Sequence, residues 1–367
     1  MKNIYFALLL IAAGLFATAC QTDEKIQTKE TPKNIILLIG DGMGVSEVYA
    51  GLTANKGSLN LEKCTHYGFS KTHSSSHYVT DSGAGGTAIS TGVKTYNGAI
   101  GVDPDSLPVK TILEYAEDKG LSTGLVSTSS ITHATPASFI SHQKSRNSYE
   151  AIAADFLRTD VDVIIGGGRH NFMKRADSVN LIDQLIKNGY SVKYNMADIN
   201  NTLSGKLFGL TADMHNPRYS EGRGNFLPEA TETAARLLSA NENGFFLMIE
   251  GSMIDWGGHA NDIKYIIEEM LDFDRAIGEA LKFAEEDGET LIVITADHET
   301  GGLGINNGDF ATGEVTPGFT SKGHTGVMVP VFAYGPGADE FAGIQENTDL
   351  FDKMMRLLKL NDDSSLQ

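Results

Sequence analysis

Ile35-Ile36-Leu37-Leu38-Ile39 runs straight into Gly40-Asp41-Gly42-Met43-Gly44. Five apolar residues without a polar break suit a strand covered on both faces, the setting of a parallel sheet. The glycines that follow let the chain turn sharply and bring the Asp41 carboxylate into a cleft at the strand's end. The same pattern recurs at Gly124-Leu125-Val126-Ser127, Val161-Asp162-Val163-Ile164-Ile165, Phe245-Phe246-Leu247-Met248-Ile249, Leu291-Ile292-Val293-Ile294-Thr295 and Val329-Pro330-Val331-Phe332-Ala333-Tyr334. Helical patterns lie between these runs. Val109–Gly120 ends on a glycine cap, and Tyr265–Glu286 places Ile266, Met270, Phe273, Ile277 and Leu281 at helical spacing. Alternation of strand and helix predicts an α/β fold, a mostly parallel sheet with helices on both sides. In such sheets chemistry gathers beyond the carboxyl ends of the strands. Asp41, Glu250 and Asp297-His298 each follow directly on an apolar run, where one site can collect them.

The ends of the chain carry a different message. Lys2, the apolar stretch Tyr5–Phe16 and the small residues Ala17-Thr18-Ala19 before Cys20 read as a signal peptide over residues 1–20. A cysteine after small residues resembles the lipobox of bacterial lipoproteins, although Ala17 stands where Leu or Val is commoner. The expectation is an exported lipoprotein, periplasmic or anchored to the outer membrane, touching membrane only through lipid on Cys20. Residues 21–32 are polar, lack periodicity and read as a flexible tether. Residues 33–367 form one domain, with small insertions near 201–224 and 304–322. Cys64 is the second of only two cysteines. With Cys20 lipidated it has no disulfide partner and serves as a small packing residue. The core, with any bound metals, must then hold the exported fold. A formal net charge of −18 repels nucleic acid and anionic lipid and excludes both as partners.

Five groups stand out by residue type: Gly40–Gly44; Thr80-Asp81-Ser82-Gly83-Ala84-Gly85-Gly86; Glu250-Gly251-Ser252-Met253-Ile254-Asp255-Trp256-Gly257-Gly258-His259; Ala296-Asp297-His298-Glu299-Thr300; and Lys322-Gly323-His324-Thr325-Gly326. Asp255 and His259 are four apart and share one face of a helical turn. A serine ahead of small residues can open a helix whose backbone N–H groups face an anion. Singly, each group has a plain structural explanation: a turn, a solvated helix pair, a chance dipeptide. Together, at strand ends, they point to a metal site. Mixed carboxylate and imidazole ligands suit zinc, and all-oxygen sets suit magnesium.

In order and local sequence these groups resemble the alkaline phosphatase family, from about Asn34 to Leu357. His133-Ala134-Thr135-Pro136-Ala137 and Ser145-Arg146 belong to the same resemblance. It implies a three-layer α/β/α sandwich with a mostly parallel central sheet, usually as a homodimer. It also implies a phosphomonoesterase acting on small phosphate monoesters with two zinc ions and one magnesium. The first zinc would take Asp255, His259 and His324; the second, Asp41, Asp297 and His298, completed by Ser82. The magnesium would take Asp41, Thr135 and Glu250. Ser82 is the implied nucleophile, passing through a phosphoserine, and Arg146 the implied phosphate clamp. His133 and Trp256 depart from the best-known bacterial pattern, which has Asp and Lys there. Both are expected near substrate: His133 beside the third metal, and Trp256 without the cationic tip that binds phosphate.

Other features receive no role. Gly166-Gly167-Gly168-Arg169-His170 lacks the rest of a P-loop and reads as a tight turn. His66, His73 and His77 read as a solvated loop. His142, His170 and His215 match none of the metal-binding strings. The short segment between His298 and His324 points to a small dimer interface or none. Two other readings compete. One is a phosphodiesterase, sulfatase or phosphonate hydrolase of the same superfamily, which usually uses Thr or a modified Cys as nucleophile. The other is a metal-dependent phosphate-binding lipoprotein without turnover.

Overall fold

Ile35 to Ile39 are fully buried and form the middle of strand β1 (Asn34–Gly40). The computed structural model describes residues 31–361, so the leader, Cys20 and residues 21–30 of the tether lie outside the described residues. Thirteen further strands follow in chain order: β2 (His66–Lys71), β3 (Ser122–Ser130), β4 (Val163–Gly167), β5 (Ser191–Lys193), β6 (Leu207–Leu210), β7 (Phe245–Gly251) and β8 (Thr290–Thr295), then β9 (Glu299–Thr300), β10 (Leu303–Asp309), β11 (Glu314–Phe319), β12 (His324–Thr325), β13 (Val329–Tyr334) and β14 (Gly343–Glu346). The central sheet has the order β14-β2-β13-β8-β1-β7-β3-β4-β6-β5. β1 lies at its heart, parallel to β7 on one side and β8 on the other.

Side chains of β1 alternate between two cores. Ile35, Leu37 and Ile39 pack with Ile89, Leu113, Phe139 and Phe156 on one face. Ile36 and Leu38 pack with Leu227, Ala234, Phe273 and Ile277 on the other. A strand with helices on both faces has no polar positions to spare, which is why its run is unbroken. Each buried Ile or Leu contributes about 1.5–3 kcal/mol of burial free energy. The chain is thus the expected α/β/α sandwich on a mostly parallel sheet.

Local signals set the helices. Asp262 accepts from the amides of Lys264 and Tyr265 and so starts Ile263–Asp287, which stops at Gly288 with φ of 71°. Thr111 and Glu114 cap each other's amides at the start of Ile112–Asp118. This helix is shorter than the Val109–Gly120 pattern because the capping box begins it at Thr111. Cys64 is buried; its thiol is pushed up to about 12 by burial and then by Asp274, as suits a packing residue.

β13 is the one central strand running against the rest. β12 already lies at the carboxyl end of the sheet, paired with β9, and only Gly326–Met328 separate it from β13. Three residues span roughly 10 Å, too little to return to the far end, so the strand must run back down. The stretch 304–322 contains an antiparallel ribbon, β10 with β11. His66 stands in strand β2 rather than in a loop. Among the described residues no helix is long and apolar enough to cross a membrane.

Candidate metal centre

The carboxyl ends of β1, β7, β3 and β8 point to one cleft. Asp41 follows β1, Glu250 sits near the end of β7, and Asp297-His298 follow β8. Gly42, with φ of +76°, lets the chain pass Asp255 closely; a Cβ there would fall 2.7 Å from the Asp255 Cα. Ser82 opens the helix Ser82–Thr91. Asp81 caps it, its Oδ1 accepting from Ala84 N and Gly98 N, each at 3.0 Å. Gly85 in that helix would, with a side chain, meet the Asp297 Cβ at 3.0 Å, so the small residues after Ser82 bring the helix against the ligands.

Three groups of ligand atoms result: Asp41 with Asp297 and His298; Asp255 with His259 and His324; and Asp41 with His133 and Glu250. In the first, Nε2 of His298 lies 3.5 Å from Asp41 Oδ1, 3.4 Å from Asp297 Oδ2 and 3.2 Å from Ser82 Oγ. In the second, Nδ1 of His259 lies 2.6 Å from the Lys322 carbonyl, and Nδ1 of His324 lies 2.9 Å from the Thr80 carbonyl. Carbonyls only accept, so both rings carry a proton on Nδ1, and Nε2 is the atom each turns inward as a candidate ligand. Those two Nε2 atoms stand 3.2 Å apart, each within 3.5 Å of Asp255 Oδ1. Two ring nitrogens and a carboxylate oxygen this close together make a ligand set for one cation.

In the third group, Glu250 Oε2 accepts from Ser127 at 2.5 Å and Ser252 at 2.6 Å, while Oε1 has no partner. Also buried without partners are both oxygens of Asp41, Asp297 Oδ2, Thr135 Oγ1 and His133 Nδ1. Buried polar atoms are seldom left this way. Electrostatics agree. Burial, then Asp297, Asp255 and Glu250, hold Asp41 well above the usual carboxylate range. Burial, then Asp255, pushes Asp297 up to about 6, and burial pushes Glu250 up to about 6. His298 is driven well down by burial and then by His324; His133 falls to about 3 through burial, then Arg146 and His215. Repelling carboxylates beside uncharged imidazoles are what a cation site looks like without its cations. The donor sets fit metals.

Arg146 reaches the cleft from the side, donating to Asp81 Oδ2 at 2.9 Å, with Nη2 3.5 Å from His133 Nε2. Trp256 sits on the ligand helix Met253–Ala260, edge-on to His133. All the residues expected at the site therefore converge. Thr135 stands beside Glu250, and His133 joins the oxygen ligands of the third group. Residues without an expected role also belong here. Thr300 donates to Asp255 and lies 3.2 Å from His298 Nδ1, bridging two groups; its only signal is the period-two spacing from His298. His215, given no role, packs edge-on to Trp256 at 4.8 Å and His133 at 5.5 Å, from a loop whose pattern carries no such hint. Ser127 and Ser252 orient Glu250 and look like ordinary strand-end serines in sequence.

Fold and site together define a class: an α/β/α sandwich with a buried serine beside groups of carboxylates and imidazoles that could hold cations. The family model for alkaline phosphatase matches residues 32–317 and 309–360. Alkaline phosphatase 3 of Bacillus subtilis is 35% identical, aligning over 98% of this chain and 96% of its own length. The Escherichia coli alkaline phosphatase is 35% identical over 89% of this chain and 86% of its own. The structure of alkaline phosphatase from the Antarctic bacterium TAB5 superposes with a TM-score of 0.86 at 45% identity, covering 91% of this chain and 99% of that one. A variant of that enzyme, with one histidine changed to aspartate, has magnesium bound in its M3 site. The chain belongs to the alkaline phosphatase family and is a phosphatase of that type.

Proposed function

We propose that the protein hydrolyses small phosphate monoesters through a phosphoserine on Ser82, with two zinc ions and one magnesium. The observation that carries this reading is Ser82 Oγ, 3.2 Å from His298 Nε2, beside a group whose Asp41 oxygens and Asp297 Oδ2 are buried without partners. Asp255, His259 and His324 would hold one zinc, and Asp41, Asp297 and His298 the other, with Ser82 as its further ligand. Asp41, Glu250 and Thr135 would offer oxygens to the magnesium, and the His133 nitrogen in the same group would weaken its preference for magnesium over zinc. When bound, the metals would supply Lewis acidity and charge neutralisation to the attacking and leaving oxygens.

The chain's own residues do the rest. Ser82 Oγ gives up its proton and attacks phosphorus as the ester P–O bond breaks, the departing alkoxide takes up a proton from solvent, and water then hydrolyses the phosphoserine, returning the serine hydroxyl and releasing phosphate. The Ser82 and Gly83 amides, which the Asp81 cap does not use, would face the phosphoryl oxygens. The Arg146 guanidinium, held by Asp81, binds two of those oxygens as a planar fork. His298, kept neutral by burial, presents an unprotonated Nε2 to the metal position beside Ser82.

Trp256 occupies a position where a lysine would add a positive charge. Trp256→Lys is expected to lower the phosphate inhibition constant several-fold and to slow product release at saturating substrate. An unchanged inhibition constant would refute that role. Serine as nucleophile next to Asp81 and Arg146 favours monoesters. Rates on nitrophenyl phosphate, its bis ester and its sulfate test this: the monoester should lead by orders of magnitude, and a faster bis ester or sulfate would reassign the chemistry. No phosphate release by the metal-loaded protein would instead favour a binding protein. Export behind the leader, anchored through lipid on Cys20, completes the proposal and is read by labelling with a radioactive fatty acid. Size-exclusion with light scattering reads whether the chain forms a dimer.

A further inference from the structure

Glu47 stands in the first turn of the helix Val45–Ala54, is 0% exposed, and neither carboxylate oxygen has a hydrogen-bond partner. Beside it lies Glu299, 4% exposed. A Cβ on Gly44 would fall 2.8 Å from Glu47 Oε2 and 2.6 Å from Glu299 Cγ, so the two acids meet over a glycine with room for nothing larger. Glu299 accepts from Leu303 N at 3.1 Å and from the Thr325 hydroxyl. Thr325 is its ladder partner across β9 and β12. Strand alternation puts Glu299 and Thr325 on one side of this ladder and the ligand-bearing His324 and Thr300 on the other. Among the described ion pairs, no lysine, arginine or histidine joins Glu47 or Glu299. Burial and then Glu299 hold the Glu47 carboxyl well up.

Two buried acids without a counter-charge are costly unless something positive lies between them. The placement says what it would do. Glu47 follows closely on Asp41, Glu299 directly follows His298, and Thr325 directly follows His324. All three segments that meet here also carry a ligand of the cleft.

We propose that Glu47 and Glu299, with the Thr325 hydroxyl, hold a hard divalent cation, magnesium or calcium, separate from the three ligand groups of the cleft. All-oxygen donors suit such ions and not zinc. The cation ties together the Asp41–Glu47, His298–Glu299 and His324–Thr325 segments from behind and stiffens the frame on which the cleft ligands stand.

Elemental analysis of the full metal-loaded protein tests this, after exchange into buffer with zinc, magnesium and calcium and removal of free ions. Wild type is expected to carry one more hard divalent ion per chain than Glu47→Gln, with equal zinc, and to unfold at a higher temperature. Equal counts in the two proteins would overturn the proposal. So would a variant at least as stable as wild type, which would mean that a proton neutralises the pair. If Glu47→Gln does not fold, wild type alone decides: its total must exceed the cleft's three ions by one, and a total of three overturns the site.

Discussion

Ser82→Ala is expected to lower kcat/KM for nitrophenyl phosphate by roughly 10⁴-fold, about 5.5 kcal/mol of transition-state stabilisation. The serine is 2% exposed, opens a helix, and has its oxygen 3.2 Å from His298 Nε2. Without it, water must attack in its place with no fixed position, and the covalent route is closed. Removing one small hydroxyl leaves the core intact, so the unfolding temperature of the loaded protein should move little. Wild-type phosphoserine trapped at acid pH should be absent from the variant. A variant that keeps a tenth of the activity would remove Ser82 from the role.

Asp41→Asn should act on two ions at once. Asp41 is the carboxylate shared by two ligand groups, and both its oxygens are buried without another partner. An amide keeps the shape but removes the charge and one acceptor. Metal analysis should find two of the three cleft ions lost or weakly held, and activity should drop at least about a thousandfold. The metal-free proteins should show the opposite order in stability. There Asp41 is repelled by Asp297, Asp255 and Glu250, so the neutral amide should raise the unfolding temperature by a few degrees. A metal-free variant less stable than metal-free wild type would show that Asp41 has a structural partner instead.

Much of this was readable in the sequence, for a physical reason. Strands buried on both faces must be apolar throughout, so β1, β7 and β8 announce themselves, and the acids that end them stand out against that background. Asp255 and His259 were linked by helical spacing alone. Strands at the sheet's margin carry no such signal. β2 is half exposed, and β5, β6 and β14 are three or four residues long. The reversed direction of β13 follows from where β12 ends, which only the assembled sheet reveals. The same holds for His215 and Thr300, whose parts depend on contacts with Trp256, Asp255 and His298. His133 could be placed near the third metal group from its string, but only the fold shows its ring among the ligands.

If Ser82 owes its reactivity to the cation groups beside it, metal analysis combined with a phosphatase assay, before and after chelation, should read that dependence. Loaded protein should contain zinc and magnesium. Chelation should abolish activity, and zinc with magnesium together should restore it. Activity that survives complete removal of metal, or a fully active protein found without zinc, would show that Ser82 does not depend on these cations.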